Sequence, residues 1–353
     1  NYGFRAYILL REEVYPATQG KIDFFQTPKF VRIARYGKKI QMNEGVCPAY
    51  SDCRMGLSPD RFILSYCDRA LGITSAEEQP VLPKGNNLSL HLLELFTSQV
   101  AKVGMTDGIR QVLQEESDAL RAYYEQAGIL IARPAGGTSC RLAISAKGGT
   151  NAENHNHNDV GSYAVALGSE TMVGDQGGPN SYPGDYFNGD APQKYKIKGS
   201  FGHPVPVVDG RTQSSGGKAK GVVLQKEFTN EKDVFSIDYT SAYSTPNLDK
   251  LIRTFVYDRQ GKGNFTVGDE FTAKTPIRFE TAITTRADWK VLDDTHLLLA
   301  TDSEQMIVAI DASGKVAFTS ETIEVNSPAY TRIGIALKNQ SKEGYIRLKM
   351  YTK

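Results

Sequence analysis

The sequence predicts an α+β protein of two domains, with helices first and a large antiparallel β-sandwich after them. Three observations carry that prediction. The chain has 353 residues, more than one hydrophobic core supports before it divides at roughly 250 to 300 residues. Its apolar spacing changes from helical to strand-like near residue 128. Beyond that point short β-rich runs follow one another with turn residues between them, the pattern of a sandwich of large sheets.

In the first region, Arg5 to Tyr15 and Pro28 to Ile40 have helical apolar spacing. Asp60 to Leu71 does too, with Ser58-Pro59 ahead of it as N-cap and first-turn residue. Leu88 to Val103 aligns Leu90, Leu93, Leu95, Phe96 and Val100 on one broad face, and Gly104 can end it. Thr106 or Asp107 opens a longer amphipathic segment, expected to run to Gln126 with Gly128 as its stop. Helix pairs joined by short loops are the unit of α/α arrays and toroids. Five helices cannot close a toroid, so further helices are expected upstream. Asn1 in place of Met agrees with a processed or truncated start.

The predicted strands are Ile129–Ala132, Arg141–Ser145, Ser162–Leu167, Val205–Val208, Val222–Gln225 and Val234–Tyr239. They continue with Leu251–Tyr257, Ile277–Thr284, His296–Ala300, Met306–Ile310, Thr331–Ala336 and Tyr345–Tyr351. Asn188-Gly189 and Asp209-Gly210 are turn dipeptides. No internal repeat is visible, and Ser214 to Gly217 reads as a loop.

Composition narrows the function classes. Lys and Arg number 41 against 40 Asp and Glu, which lacks the basic excess of a nucleic-acid binder. No run approaches the ~18 consecutive apolar residues of a membrane span. The four cysteines, Cys47, Cys53, Cys67 and Cys140, form no Cys-x-x-Cys pair and read as free thiols, with a Cys47–Cys53 bridge open only in an oxidising compartment.

The chemistry concentrates in one cluster. Of five histidines, two lie at 155 and 157, flanked by Asn154, Asn156, Asn158 and Asp159. On an extended strand His155 and His157 would share a face, with Asp159 continuing the row, so that one imidazole can bind a metal while the other meets a substrate. Asp175 and His203 follow downstream, and a His/Asp/His set suits zinc. Against this stand two plain readings: a hydrogen-bonded turn histidine, and Asn-rich Asx-turns. A cupin-type metal enzyme also uses His-x-His, with Glu170 as its acidic ligand.

The stretch Asn154-His-Asn-His-Asn-Asp-Val-Gly-Ser-Tyr163, with Val173-Gly-Asp-Gln-Gly177, Gly202-His-Pro-Val-Pro-Val-Val-Asp-Gly210 and Gln213, resembles the heparinase II/III-like polysaccharide lyases. The resemblance spans about 140 to 225 and keeps the order and similar spacing of the family. It implies that 1–128 is the C-terminal portion of an (α/α) toroid and 129–353 the antiparallel β-sandwich. It also implies β-elimination on a uronic-acid-containing polysaccharide, a glycosaminoglycan such as heparan sulfate or an alginate.

Position by position, the resemblance implies that His155 is the catalytic histidine, with Asn154 beside it, and that His157, Asp175 and His203 hold a mainly structural Zn2+. Tyr50, in Cys47-Pro-Ala-Tyr-Ser-Asp52, resembles the acid/base tyrosine, with Tyr2 its competitor. Asn1 stands for the group that clamps the substrate carboxylate, and Tyr195 with Lys194, Lys196 and Lys198 is expected along the cleft. The partner expected is an anionic polysaccharide, in the periplasm or outside the cell, with a homodimer left open. The competing class is a sugar-binding scaffold of the same fold without chemistry.

Overall fold

The structure is a computed structural model, and it describes residues 2–73, 100–115, 117, 119–324 and 328–353, with Tyr2 described by its backbone alone. The chain divides into two compact units, one of residues 1–41 and 58–118 and the other of 42–57 and 119–353.

In the helical unit, α1 spans Tyr2–Ala17, α2 Pro28–Lys39, α3 Arg61–Ala70 and α4 Asp107–Glu115. Thr27 caps α2 through its hydroxyl on Phe30 N, and Pro28 supplies the first-turn φ. The cap of α3 is Asp60, whose carboxylate accepts from Phe62 N and Ile63 N, rather than Ser58. A carboxylate one residue before the helix reaches the free N–H groups that Ser58 is too far away to meet. Phe25, Phe30, Val31, Phe62, Ile63, Tyr66 and Ile109 share one apolar cluster, and Phe25 stacks on Phe30 at a centroid separation of 3.6 Å. Most of the segment expected at Leu88 to Val103 lies outside the described residues; Val100 to Val103 are not helical.

The last expected helix is corrected most. It ends at Glu115, and Arg121–Tyr124 is instead a strand, β1, paired with β2 at Ile129–Ala132. Gly128, at φ +60°, belongs to the hairpin turn and does not stop a helix. Backbone pairing with a neighbouring strand outweighs an apolar spacing that suits either structure. The change from helix to sandwich therefore falls about ten residues before the expected 128, and 42–57 leaves the helical region for the sandwich unit.

The remaining strands are β3 Leu142–Lys147, β4 Thr150–Asn151, β5 Tyr163–Leu167, β6 Glu170–Val173, β7 Val207–Val208, β8 Gly216–Lys220, β9 Val222–Phe228 and β10 Lys232–Asp238. They continue as β11 Leu248–Asp258, β12 Asn264–Ile277, β13 Phe279–Thr285, β14 Asp288–Asp293, β15 His296–Ala300, β16 Gln305–Ala312, β17 Val316–Ile323, β18 Tyr330–Leu337 and β19 Ser341–Thr352.

An eight-stranded sheet runs β14-β15-β16-β19-β12-β11-β10-β9, and the core it covers is shared with a five-stranded sheet, β1-β2-β3-β5-β6, and a four-stranded one, β17-β18-β13-β7. The two smaller sheets meet where Gly174 N donates to Thr284 O and the Thr284 hydroxyl to Gly174 O. All pairings are antiparallel; Phe235, Phe255 and Phe265 stack through the centre from neighbouring strands. The loops after β4, β6 and the short helix α5 (Ala191–Lys194) emerge together and carry the histidine cluster.

Candidate metal centre and the imidazole beside it

Residues 154 to 160 form turns rather than a strand, and His155 itself has a left-handed backbone at φ +59°. The expected shared face is therefore corrected. The reversal at His155 sends the two imidazoles to different surroundings: the His155 side chain is 63% exposed, that of His157 fully buried. Asn151, Asn158 and Gln213 fasten the loop. The Asn151 amide donates to Gln213 Oε1 at 3.0 Å, and Gln213 in turn bonds both backbone groups of Val160. The Asn-rich composition is thus largely loop fastening, while Asp159 leaves the row to pair with buried Lys147.

His157, Asp175 and His203, from three separate loops, place one ligand atom each within 4.8 Å of one another, all buried. His203 Nδ1 lies 2.8 Å from Asp175 Oδ2, which also accepts from the Ser162 hydroxyl at 3.0 Å, and Gly177 N donates to Oδ1 at 3.0 Å. Burial alone would raise the Asp175 carboxyl, but His203 and His157 outweigh it and hold it below the ordinary carboxylate range. Burial would lower His203, yet Asp175 holds it above the usual imidazole value. Burial keeps His157 below that value despite Asp52.

These residues fit a cation. His157 Nδ1 and His203 Nε2 are buried without a hydrogen-bond partner, a cost of about 1 to 3 kcal/mol for each group left so, and two imidazoles with a carboxylate are a donor set zinc accepts.

A residue that sequence reading passed over joins the centre to the surface. Asp52 Oδ2 lies 2.7 Å from His155 Nδ1, and Oδ1 lies 3.1 Å from His157 Nε2. Burial would raise this carboxyl, and the two histidines bring it below its usual value. The chain presents Asp52 by a tight approach: Ser51 is left-handed at φ +56°, and a Cβ on Gly177 would lie 1.7 Å from Cys53 O. Only glycine fits there. No local motif marks Asp52; its neighbour Tyr50 drew attention instead.

Tyr50 packs against Ser145 and Lys147. Its hydroxyl lies 2.8 Å from Ser145 Oγ, and the Lys147 ammonium sits 5.7 Å from its ring centre. Burial pushes the phenol well above its ordinary value, with Ser145 opposing and Asp175 and Asp159 adding. A phenol raised in this way is a poor base, and the loop turn gives His155 to Asp52.

Asn154 is exposed beside His155. Tyr195 is half-buried, its hydroxyl on Asp185 and its ring against Tyr186 at 5.6 Å. The expected basic run is spoken for: Lys194 pairs with Asp185 and Lys196 with Glu321, and Lys198 donates to Tyr186 O at 2.7 Å. Asn1 and the Tyr2 side chain lie outside the described residues. The aromatic side chain that does flank His155 escaped the sequence reading: Phe187 is edge-on to it at 5.6 Å and 55% exposed, and Tyr182, 42% exposed, packs in turn on Phe187 at 5.0 Å. Glu170 accepts from the Ser303 hydroxyl at 3.2 Å and is not in the cluster. All four cysteines are free thiols.

The architecture is that of the sandwich part of heparinase-like lyase structures. The sequence finds no matching protein-family model and no matching curated protein. Among solved structures, a heparinase III matches at TM-score 0.60 with 17% identity, over 92% of this chain and 48% of its own. A second heparinase III matches at 0.61 with 12% identity, over 91% and 45%. A heparan sulfate lyase from Pedobacter heparinus matches at 0.61 with 14% identity, over 90% and 45%. The chain thus spans about half the length of the structures it resembles. No helix among the described residues is long and apolar enough to cross a membrane.

Proposed function

We propose that this protein is a polysaccharide lyase that cleaves a uronic-acid-containing polysaccharide by β-elimination, with His155 at the reacting centre. The observation that carries the reading is the placement of one exposed imidazole beside a buried His/Asp/His cluster, on a fold shared with heparan sulfate lyase structures. The helical unit is read as part of an (α/α) toroid, and export to the periplasm or beyond follows from a polymeric substrate.

The chemistry requires removal of the proton at C5 of the uronate, formation of the C4=C5 double bond, and departure of the 4-oxygen with a proton. His155 is anchored through Nδ1 on Asp52, so Nε2 is the atom that takes the C5 proton, and the imidazolium so formed returns it to the departing 4-oxygen. Asn154 offers an amide to the carboxylate, lowering the cost of charge that develops beside it. Phe187 and Tyr182 supply an apolar wall for the sugar ring. His157, Asp175 and His203 would hold the zinc, whose contribution is to cross-link three loops and keep His157 fixed.

A second reading, sugar binding without turnover, draws support from one observation: the Tyr50 hydroxyl is engaged by Ser145. Incubation of the full-length protein with alginate, heparan sulfate, hyaluronan and chondroitin, followed by ultraviolet absorbance of the unsaturated uronate, decides between them. Absorbance with one polymer supports the lyase; binding with no absorbance from any of them supports the alternative. Tyr50→Phe then assigns the proton: turnover within a few-fold of wild type leaves it to His155, and loss of turnover returns it to Tyr50.

A further inference from the structure

We infer that Asp52 is a positioning residue that ties the candidate metal centre to His155, setting the tautomer of both imidazoles through one carboxylate. The inference deepens the proposed function and rests on it for the meaning of His155, but the geometry behind it stands apart from any turnover.

The argument is one of donors and acceptors. An ionised carboxylate only accepts hydrogen bonds, so each ring nitrogen facing Asp52 must carry a proton. His155 is then protonated at Nδ1, which leaves the Nε2 lone pair on the exposed side of the ring. His157 is protonated at Nε2, which leaves its Nδ1 lone pair buried without a partner. One lone pair points to a substrate and the other is free for a cation. The Tyr186 hydroxyl, 3.0 Å from His157 Nε2, closes the remaining side of this contact.

The support behind Asp52 is stiff. The carbonyl of Cys53 lies against Gly177, and Gly178 N donates to it at 3.2 Å. Arg54 bridges to Gly177, two residues beyond Asp175. The backbone that carries Asp52 is therefore fastened to the loop that carries one of the three candidate ligands. A group outside hydrogen-bonding range of a ligand's free nitrogen still feels its occupancy, because His157 cannot turn without releasing Asp52, and Asp52 cannot move without releasing His155.

The test reads tautomers directly. With only five histidines in the chain, heteronuclear NMR of histidine-labelled full-length protein resolves the ring of His155. In wild type loaded with zinc, His155 is expected as the Nδ1–H form, and stripping the zinc with a chelator is expected to mix the two forms. Asp52→Asn offers one acceptor and one donor in place of two acceptors, so one ring must change tautomer. Zinc affinity, measured by competition with a chromophoric chelator, should fall about 10- to 100-fold. Turnover should fall through kcat with KM little changed, and Asp52→Glu should restore part of both.

A His155 spectrum indifferent to zinc in wild type, or unchanged in folded Asp52→Asn, overturns the inference; the wild-type arm holds even if the variant fails to fold. The tautomer shift without turnover on any uronate polymer upholds Asp52 and sinks the lyase reading. Turnover with an indifferent His155 does the opposite.

Discussion

Arg11 in the helical unit and Arg253 in the sandwich are both buried, and both grip an aspartate with two parallel hydrogen bonds. Arg11 holds Asp23 through Nε and Nη2 at 3.0 Å each, and Arg253 holds Asp269 at 2.7 and 2.6 Å. The difference lies in what the remaining donors reach. Arg11 turns to Glu12, the Tyr66 hydroxyl and Ala101 O, and stacks over Phe25 at 4.6 Å, all within the helical core. Arg253 Nη1 donates to Gly161 O at 2.7 Å and to Pro204 O at 2.8 Å. Those carbonyls sit four residues past His157 and one past His203. The same buried device thus stabilises helices in one unit and holds the two loops that carry His157 and His203 in register in the other.

Arg253→Met should break this comparison most visibly. It leaves the buried Asp269 charge with only the Tyr239 and Thr281 hydroxyls as partners, so a loss of about 3 to 5 kcal/mol is expected on denaturation, together with at least a tenfold loss of zinc affinity by chelator competition. Unchanged zinc affinity would reduce Arg253 to a core residue like any other. Arg11→Met should cost somewhat less, about 2 to 4 kcal/mol, since Asp23 is less completely buried than Asp269. Zinc affinity should stay at the wild-type value, and the transition of the helical unit should separate from that of the sandwich.

Asp60→Ala sharpens the helical side. Loss of a side-chain cap on α3 should cost about 1 kcal/mol, read as an earlier first transition. His155→Ala sharpens the other side. An exposed imidazole contributes within about 0.5 kcal/mol, so melting and zinc content should hold while turnover on a uronate polymer disappears. A variant that loses zinc instead would show His155 to be part of the centre rather than its outward neighbour.

Much of this was legible before the structure. The resemblance carried by the stretches at 154–163, 173–177 and 202–210 pointed to His157, Asp175 and His203, which do converge, and alternating runs marked the sandwich. Strand β12 was missed for a physical reason: its inward row of Phe265, Val267, Phe271 and Ala273 is interrupted by Asp269, buried at a core position because Arg253 meets it there. Strands β14 and β9 were missed or cut short because they lie at the sheet edges and are exposed on both faces, which erases alternation. The helix expected to reach Gln126 failed because Arg121–Tyr124 found a partner strand that no local pattern displays.

By itself the sequence determined the order of helices before sheets and drew attention to the histidine pair at 155 and 157, because periodicity and crowding of rare side chains are local properties. Only tertiary structure decided which neighbour each imidazole received. Asp52 meets His155 and His157 from more than 100 residues away, brought there by a left-handed Ser51 and a glycine-lined approach to the Asp175 loop. A contact of that kind depends on where two backbones cross, and residue type along either one does not encode the crossing.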